Sequence, residues 1–265
     1  MNVNSLQVAL TGLPIPVMYF LDTVGSTNDF AEELAKAGAP DCTLVVADEQ
    51  TRGRGRLNRR WTTPAGTALA FSLVLHPIPA EMENLGLFAP LCGMAVCQAL
   101  RESCGLAAEV KWPNDVLIKR RKACGVLVEA HWLGSELQSV IAGIGLNVSL
   151  ASLPQAGEVL FPATCVEEQL GRSVQREALL AVVLEAFLAE RPHTGSLAFL
   201  AKWESWLAFK GEWVQVEGPT GALNGRVLGV AADGSLRLET ETGAEIVVSV
   251  GDVRLRPAAN TFDSK

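Results

Sequence analysis

Apolar residues along this chain fall into short unbroken runs and into helical spacings, and the two alternate irregularly. Arg176 to Glu190 places Leu179, Leu180, Val183, Leu184, Phe187 and Leu188 on one face before Pro192, which predicts an amphipathic helix. Phe30, Ala31, Leu34 and Ala35 repeat at the same spacing behind Ser26-Thr27-Asn28-Asp29, and Gly38 and Pro40 end that segment. Further helices are expected over Gly86 to Glu102 and Ser196 to Leu207. Unbroken β-rich runs at Thr43 to Ala47, Ala68 to Leu75, Glu109 to Trp112, Val116 to Ile118, Gly125 to Ala130 and Val140 to Val148 read as buried strands. Several short strands with few intervening helices favour an α+β fold over a βαβ series.

The pattern changes after Gly211, where short strands surround turns such as Asp233-Gly234-Ser235 and Thr242-Gly243-Ala244. Residues 1–207 are therefore expected as the main domain, 208–258 as a small β domain and 259–265 as a tail. With 265 residues, 49% of them apolar and 19% charged, the chain can bury a sizeable core and has little room for long disordered stretches.

The formal net charge of −7 argues against a surface that binds nucleic acid or anionic membrane globally, so any cationic site must be local. Two stretches qualify: Arg52, Arg54, Arg56, Arg59 and Arg60 have no intervening acid, and Lys119 to Lys122 are consecutive. The six cysteines form no Cys-x-x-Cys pair and the three histidines are isolated, so no protein-caged metal is expected and the thiols read as reduced. No basic residue precedes Lys36, and the most apolar window, Leu85 to Leu100, is short and interrupted by Pro90. These features point to a cytoplasmic protein without membrane association.

Gln50-Thr51-Arg52-Gly53-Arg54-Gly55-Arg56 alternates the most flexible residue with a permanent cation, a composition suited to a loop that closes on an anion. A solvated basic turn or a nucleic-acid patch would also fit those arginines, but the loop lies between buried strands and meets Trp61, a flat face for a base. Lys111-Trp112-Pro113-Asn114-Asp115 gathers a cation, an aromatic, an amide and a carboxylate at a strand end, where a plain turn would need only the last three residues. Lys122 borders the apolar strand that begins at Ala123. Ser26 and Asp29 stand at capping-box spacing, and a helix N-terminus there also suits a polar head group.

Taken in order, Gly25-Ser26-Thr27-Asn28, Glu49-Gln50-Thr51 with Gly53-Arg54-Gly55-Arg56 and Trp61, Lys111 to Asp115, Lys122 with Gly125, and Gly143-Ile144-Gly145-Leu146-Asn147 closely resemble biotin protein ligases. The resemblance spans nearly the whole chain. It implies a mixed, largely antiparallel sheet flanked by helices, as in class II synthetases, followed by an SH3-like barrel. It further implies activation of biotin by ATP with Mg2+, and transfer of biotin to a lysine of a biotin carboxyl carrier protein, of acetyl-CoA carboxylase or another biotin-dependent carboxylase.

By the same resemblance Ser26, Thr27, Asn28 and Gln50 contact the biotin ring, and Arg54, Gly55 and Arg56 belong to a loop that orders over biotin and adenylate. Lys122 lies near the biotin carboxylate and the phosphate, while Gly53, Arg54, Trp61, Asn114, Asp115 and Asn147 serve the nucleotide. Arg54, Arg56, Lys111 and Lys122 are then the residues expected to stabilise charge during catalysis. A homodimer is compatible with the family. Asn58 replaces a second loop glycine and Arg52 a small residue. Only a short lead precedes Ser26, so no winged helix and no DNA binding are expected. A lipoate-type ligase would share the fold and the adenylate chemistry but not this Gly-Arg-Gly-Arg loop.

Overall fold

The computed structural model describes residues 1–56, 59–154, 161–218, 221–249 and 254–257, so Asn58 and the 259–265 tail lie outside the described residues. In chain order the elements are α1 (Val3–Ala9), β1 (Met18–Val24), α2 (Thr27–Lys36), β2 (Thr43–Gln50), β3 (Ala68–Leu75), α3 (Pro79–Met82), α4 (Phe88–Cys104), β4 (Ala108–Lys111), β5 (Asp115–Ile118), β6 (Arg121–Leu133) and β7 (Glu136–Asn147). They continue with α5 (Val166–Leu170), α6 (Arg176–Glu190), α7 (Leu197–Ser205), β8 (Trp213–Gly218), β9 (Gly221–Val230), β10 (Leu236–Glu239), β11 (Glu245–Val248) and β12 (Arg254–Pro257).

Strands β1 to β7 form one sheet in the order β1-β2-β3-β7-β6-β5-β4. Only β1 and β2 run parallel, and the other neighbours are antiparallel, giving the α+β fold that the strand pattern favours and the mixed, largely antiparallel sheet that the resemblance implies. Because side chains alternate across a strand, each strand contributes to two layers. Leu44, Val46, Phe71, Leu73, Ala142, Ile144, Leu146 and Val126 join the large core with Leu91 of α4 and Leu180 of α6. On the opposite face Val45, Val74 and Ile141 meet Ala31 of α2 in a smaller cluster.

That opposite face is covered by α2 over only part of its area. Farther along, its positions are Ser72, Gly125, Gly143, Gly145 and Asn147, which carry small or polar side chains or none. A floor without bulk is left beside the helix, and the site lies there.

The second sheet has the order β11-β10-β9-β8-β12 and is antiparallel throughout. Val214, Val216, Val227, Leu236 and Leu238 turn inward and join the large core. The two sheets also meet through a polar contact: the indole N–H of Trp112 donates to the Gly234 carbonyl at 2.9 Å, in a buried setting. Gly234 has φ +85°, and a Cβ there would come within 2.7 Å of Leu87, so the turn seats closely only as glycine.

Four elements went unread in the sequence, among them the four-residue α3. Helix α1 is set by a capping box between Asn2 and Ser5 rather than by apolar spacing. Edge strand β1 buries little and carries Asp22 and Thr23, and α5 is only five residues long. Pro90 does not interrupt α4, because it stands in the first turn, where its missing N–H has no helical partner to lose.

Candidate active site

The floor begins at the N-terminus of α2. Ser26 occupies the N-cap position, but its side chain makes no cap hydrogen bond, and Asp29 turns away to Arg54, which corrects the expected capping box. Gln50 takes over, its Oε1 accepting from the Thr27 backbone N–H at 2.8 Å and from Thr27 Oγ1 at 3.0 Å. The buried Ser72 hydroxyl lies 2.8 Å from Thr27 Oγ1 and 2.7 Å from Asn28 Oδ1. Asn28 Nδ2 donates to Glu129 at 2.7 Å and to the Leu127 carbonyl at 3.3 Å. Ser26, Thr27 and Asn28 are all at most 5% exposed, so they form a fixed polar lining rather than a solvated helix end.

The arginine segment folds back on itself. Trp61 N–H donates to the Gly53 carbonyl at 2.9 Å and Gly55 N–H to the Arg59 carbonyl at 2.7 Å, with Arg54 and Arg60 paired antiparallel between them. A Cβ at Gly53 would strike the Trp61 carbonyl, so close approach of the two arms requires glycine at this position. Arg54 reaches Glu129 with two bonds of 2.9 and 3.1 Å and Asp29 with one of 2.6 Å. Arg56 is half-buried. The Trp61 ring lies over the glycines of β6 and β7: a Cβ at Gly145 would overlap the indole, and one at Gly125 would reach it at 3.2 Å. Trp61 Nε1 is buried with no hydrogen-bond partner among the described residues.

Lys111 ends β4 and Asp115 starts β5 opposite it in register, while Asp115 also faces Gly125 of β6. Asp115 Oδ1 lies 2.5 Å from Lys122 Nζ and Oδ2 lies 3.4 Å from Lys111 Nζ. Burial pushes the Asp115 carboxyl up, but Lys122 and then Lys111 outweigh it and hold the group below the usual carboxylate range. Burial, with repulsion from Lys122 and Arg59, pulls Lys111 below the usual lysine range despite Asp115. Asn114 Nδ2 donates to the Val126 carbonyl at 2.6 Å and Asn147 Nδ2 to the Thr164 carbonyl at 3.1 Å, tying both to the floor.

These groups line one cavity of about 800 Å³, within the ordinary ~300–1,000 Å³ of small-molecule sites. Every residue assigned to a site from the sequence borders it: Ser26, Thr27, Asn28, Gln50, Gly53, Arg54, Gly55, Arg56, Trp61, Lys111, Asn114, Asp115, Lys122 and Asn147. Arg59 and Arg60 join them, against one lining acid among the described residues, Asp115. A strongly cationic cleft thus stands in an acidic chain.

Residues 20–147 match the biotin/lipoate A/B protein ligase family, and residues 210–256 match the biotin protein ligase C-terminal domain. A biotin--[acetyl-CoA-carboxylase] ligase of Paracoccus denitrificans is 34% identical over 245 residues, covering 89% of this chain and 96% of that one. The chain belongs to the biotin protein ligase family.

This ligase is also 33% identical to the bifunctional ligase/repressor BirA of Bacillus subtilis over 242 residues, 90% of this chain and 74% of the relative. Its fold matches the biotin protein ligase from Aquifex aeolicus in complex with biotin and ATP with a TM-score of 0.79 and 32% identity, over 92% of this chain and all of the other. No helix among the ligase's described residues is long and apolar enough to cross a membrane.

Sequence reading missed several residues of the site. Ser72 and Glu129 hold Asn28 from below, and Phe161 lines the far wall. A lone hydroxyl or acid inside an apolar strand was the available signal for the first two. Phe161 carried none, since it belongs to no strand or helix.

Proposed function

We propose that the ligase converts biotin and ATP to biotinyl-5′-AMP and then passes biotin to one lysine of a biotin carboxyl carrier protein, the carrier of acetyl-CoA carboxylase or of another biotin-dependent carboxylase. The observation that carries this reading is a single cavity joining a buried polar floor to a carboxylate-linked lysine pair beneath an arginine hairpin.

The ureido ring of biotin is a compact array of donors and an acceptor, and Ser26, Thr27, Asn28 and Gln50 present matching groups, with Thr27 bound to Gln50 and Asn28 to Ser72. Gly143 and Gly145 carry no side chain, which lets the Asn28 amide and the Trp61 indole lie directly on the sheet and border the same cavity. From there the biotin carboxylate points toward Lys122. A carboxylate is a poor acyl donor, so its oxygen attacks the α-phosphorus of ATP and pyrophosphate leaves, yielding a mixed anhydride. Arg54, Arg56, Lys111 and Lys122 stabilise the charge that gathers at phosphorus.

Trp61, with Gly53, Asn114, Asp115 and Asn147, serves the nucleotide, the indole supplying a flat face at the cavity. Magnesium would enter with the triphosphate as a substrate complex and would supply charge neutralisation; Asp115, the one lining carboxylate among the described residues, is taken up by two lysines. Closure of the arginine hairpin keeps water from the anhydride. In the second step the carrier's neutral lysine amine attacks the acyl carbon, AMP departs, and the amine proton is lost as the amide forms.

Incubation with ATP, magnesium, biotin and a carrier domain, read by streptavidin, tests the reading directly. Labelling with biotin and none with lipoate is expected. Pyrophosphate release driven by lipoate alone would sink it.

A further inference from the structure

Asp115 does not serve its two lysines equally: Lys122 is 2.5 Å away and Lys111 is 3.4 Å away. Lys111 is the more buried of the two, at 8% exposure, and its other charged neighbours, Lys122 from β6 and Arg59 from the hairpin, both repel it. An ammonium so placed needs another attraction. It has one in Phe161, whose ring centroid lies 5.4 Å from Lys111 Nζ with the cation over the face.

That ring is itself held. It packs edge-on against Phe209 at 6.4 Å and 82°, and Arg120 covers Phe209 at 4.5 Å. The backbone that carries Phe161 is laced to the second lysine as well. Lys122 N–H donates to the Pro162 carbonyl at 2.7 Å, and Thr164 N–H donates to the Lys122 carbonyl at 2.9 Å. One short segment therefore touches Lys111 through a ring and Lys122 through its main chain.

We propose that Phe161 is a positioning residue for the nucleotide step, its ring face holding the Lys111 ammonium charged and aimed into the cavity while its backbone neighbours fix Lys122 beside it. This rests on the reading of Lys111 as a phosphate-side cation, and it adds the group that keeps that cation usable.

The test separates the ring face from mere bulk. Phe161→Leu keeps an apolar side chain without a π face, and Phe161→Trp restores the face. Carbon-13 labelling of the lysine ε-carbons lets Lys111 be titrated by NMR in the ligand-free full chain, with Lys111→Arg identifying the signal. The Lys111 midpoint is expected to fall by about half a pH unit in Phe161→Leu and to return in Phe161→Trp. ATP binding by calorimetry should weaken about threefold in Phe161→Leu at alkaline pH, with biotin binding unchanged. An unchanged Lys111 midpoint in Phe161→Leu overturns the proposal, as does a loss that Phe161→Trp fails to restore. Should the wild-type protein release no pyrophosphate with biotin, the functional reading fails, while the Lys111 titration still decides the role of Phe161.

Discussion

Lys122 Nζ lies 2.5 Å from Asp115 Oδ1, and the second oxygen of the same carboxylate faces Lys111. Without Asp115 the cleft would hold two adjacent cations, Lys111 buried and Lys122 half-buried, and the carboxylate acts as a stand-in for the phosphate charge they are built to meet. Asp115→Asn removes that stand-in. Breaking a buried pair by removing one partner costs about 3–5 kcal/mol, so the ligand-free variant should unfold at clearly lower denaturant. Saturating ATP should recover part of the loss, because phosphate oxygens replace the carboxylate. Denaturation midpoints with and without ATP check both halves.

The same pair sets a pH dependence. The folded carboxyl of Asp115 sits below its ordinary range, so its contribution to stability is complete above the unfolded value of roughly 3.9 and is lost as pH falls through the lower folded value. The stability gap between wild type and Asp115→Asn should therefore close in acid. For Lys111 the sign is opposite in effect: its lowered value means that the charged form is lost before the roughly 10.4 of a free lysine. ATP binding should decline on the alkaline side earlier than for an exposed lysine, and calorimetry across pH would show it.

Arg54 is 42% exposed at its side chain, and its partners Glu129 and Asp29 lie at or near the surface. Such pairs contribute about 0–1 kcal/mol, so Arg54→Ala should leave the melting temperature of the ligand-free protein nearly intact. Release of biotinyl-adenylate should nevertheless accelerate by an order of magnitude or more, the cost of a lost charged hydrogen bond being about 1.5–3 kcal/mol. A stopped-flow chase with unlabelled biotin measures it.

Gly143 lies directly beneath the Asn28 amide, and an added Cβ would overlap it. Gly143→Ala must push Asn28 off Ser72 and Glu129, so biotin affinity should fall at least about tenfold, in line with the ~1–3 kcal/mol of a buried polar group left unpaired. ATP binding should remain. Separate titrations with biotin and with ATP distinguish this from general damage.

Legibility from sequence varied with how local each signal was. Strand Ala68–Leu75 and helix Arg176–Glu190 were readable to the residue, since an apolar run interrupted only at Ser72 and a 3.6-residue stripe are written locally. Edge strand β1 was not, because half of it faces solvent and its pairing with β2 depends on the rest of the sheet. The cations, glycines and amides of the site stood out as compact motifs. Ser72 and Glu129 matter only because β3 and β6 place them under Asn28, a relation that spans 44 and 101 positions.

The bond from Trp112 to Gly234 makes the two sheets partners in one wall, since Trp112 belongs to the same five residues as Lys111 and Asp115. A chimera that grafts residues 208–258 from a relative would exchange the seat of that tryptophan along with the graft. Hybrids should therefore work only when Leu87, Trp112, Trp203 and the turn at Gly234 travel together, so the unit of inheritance at this site crosses the boundary between the sheets.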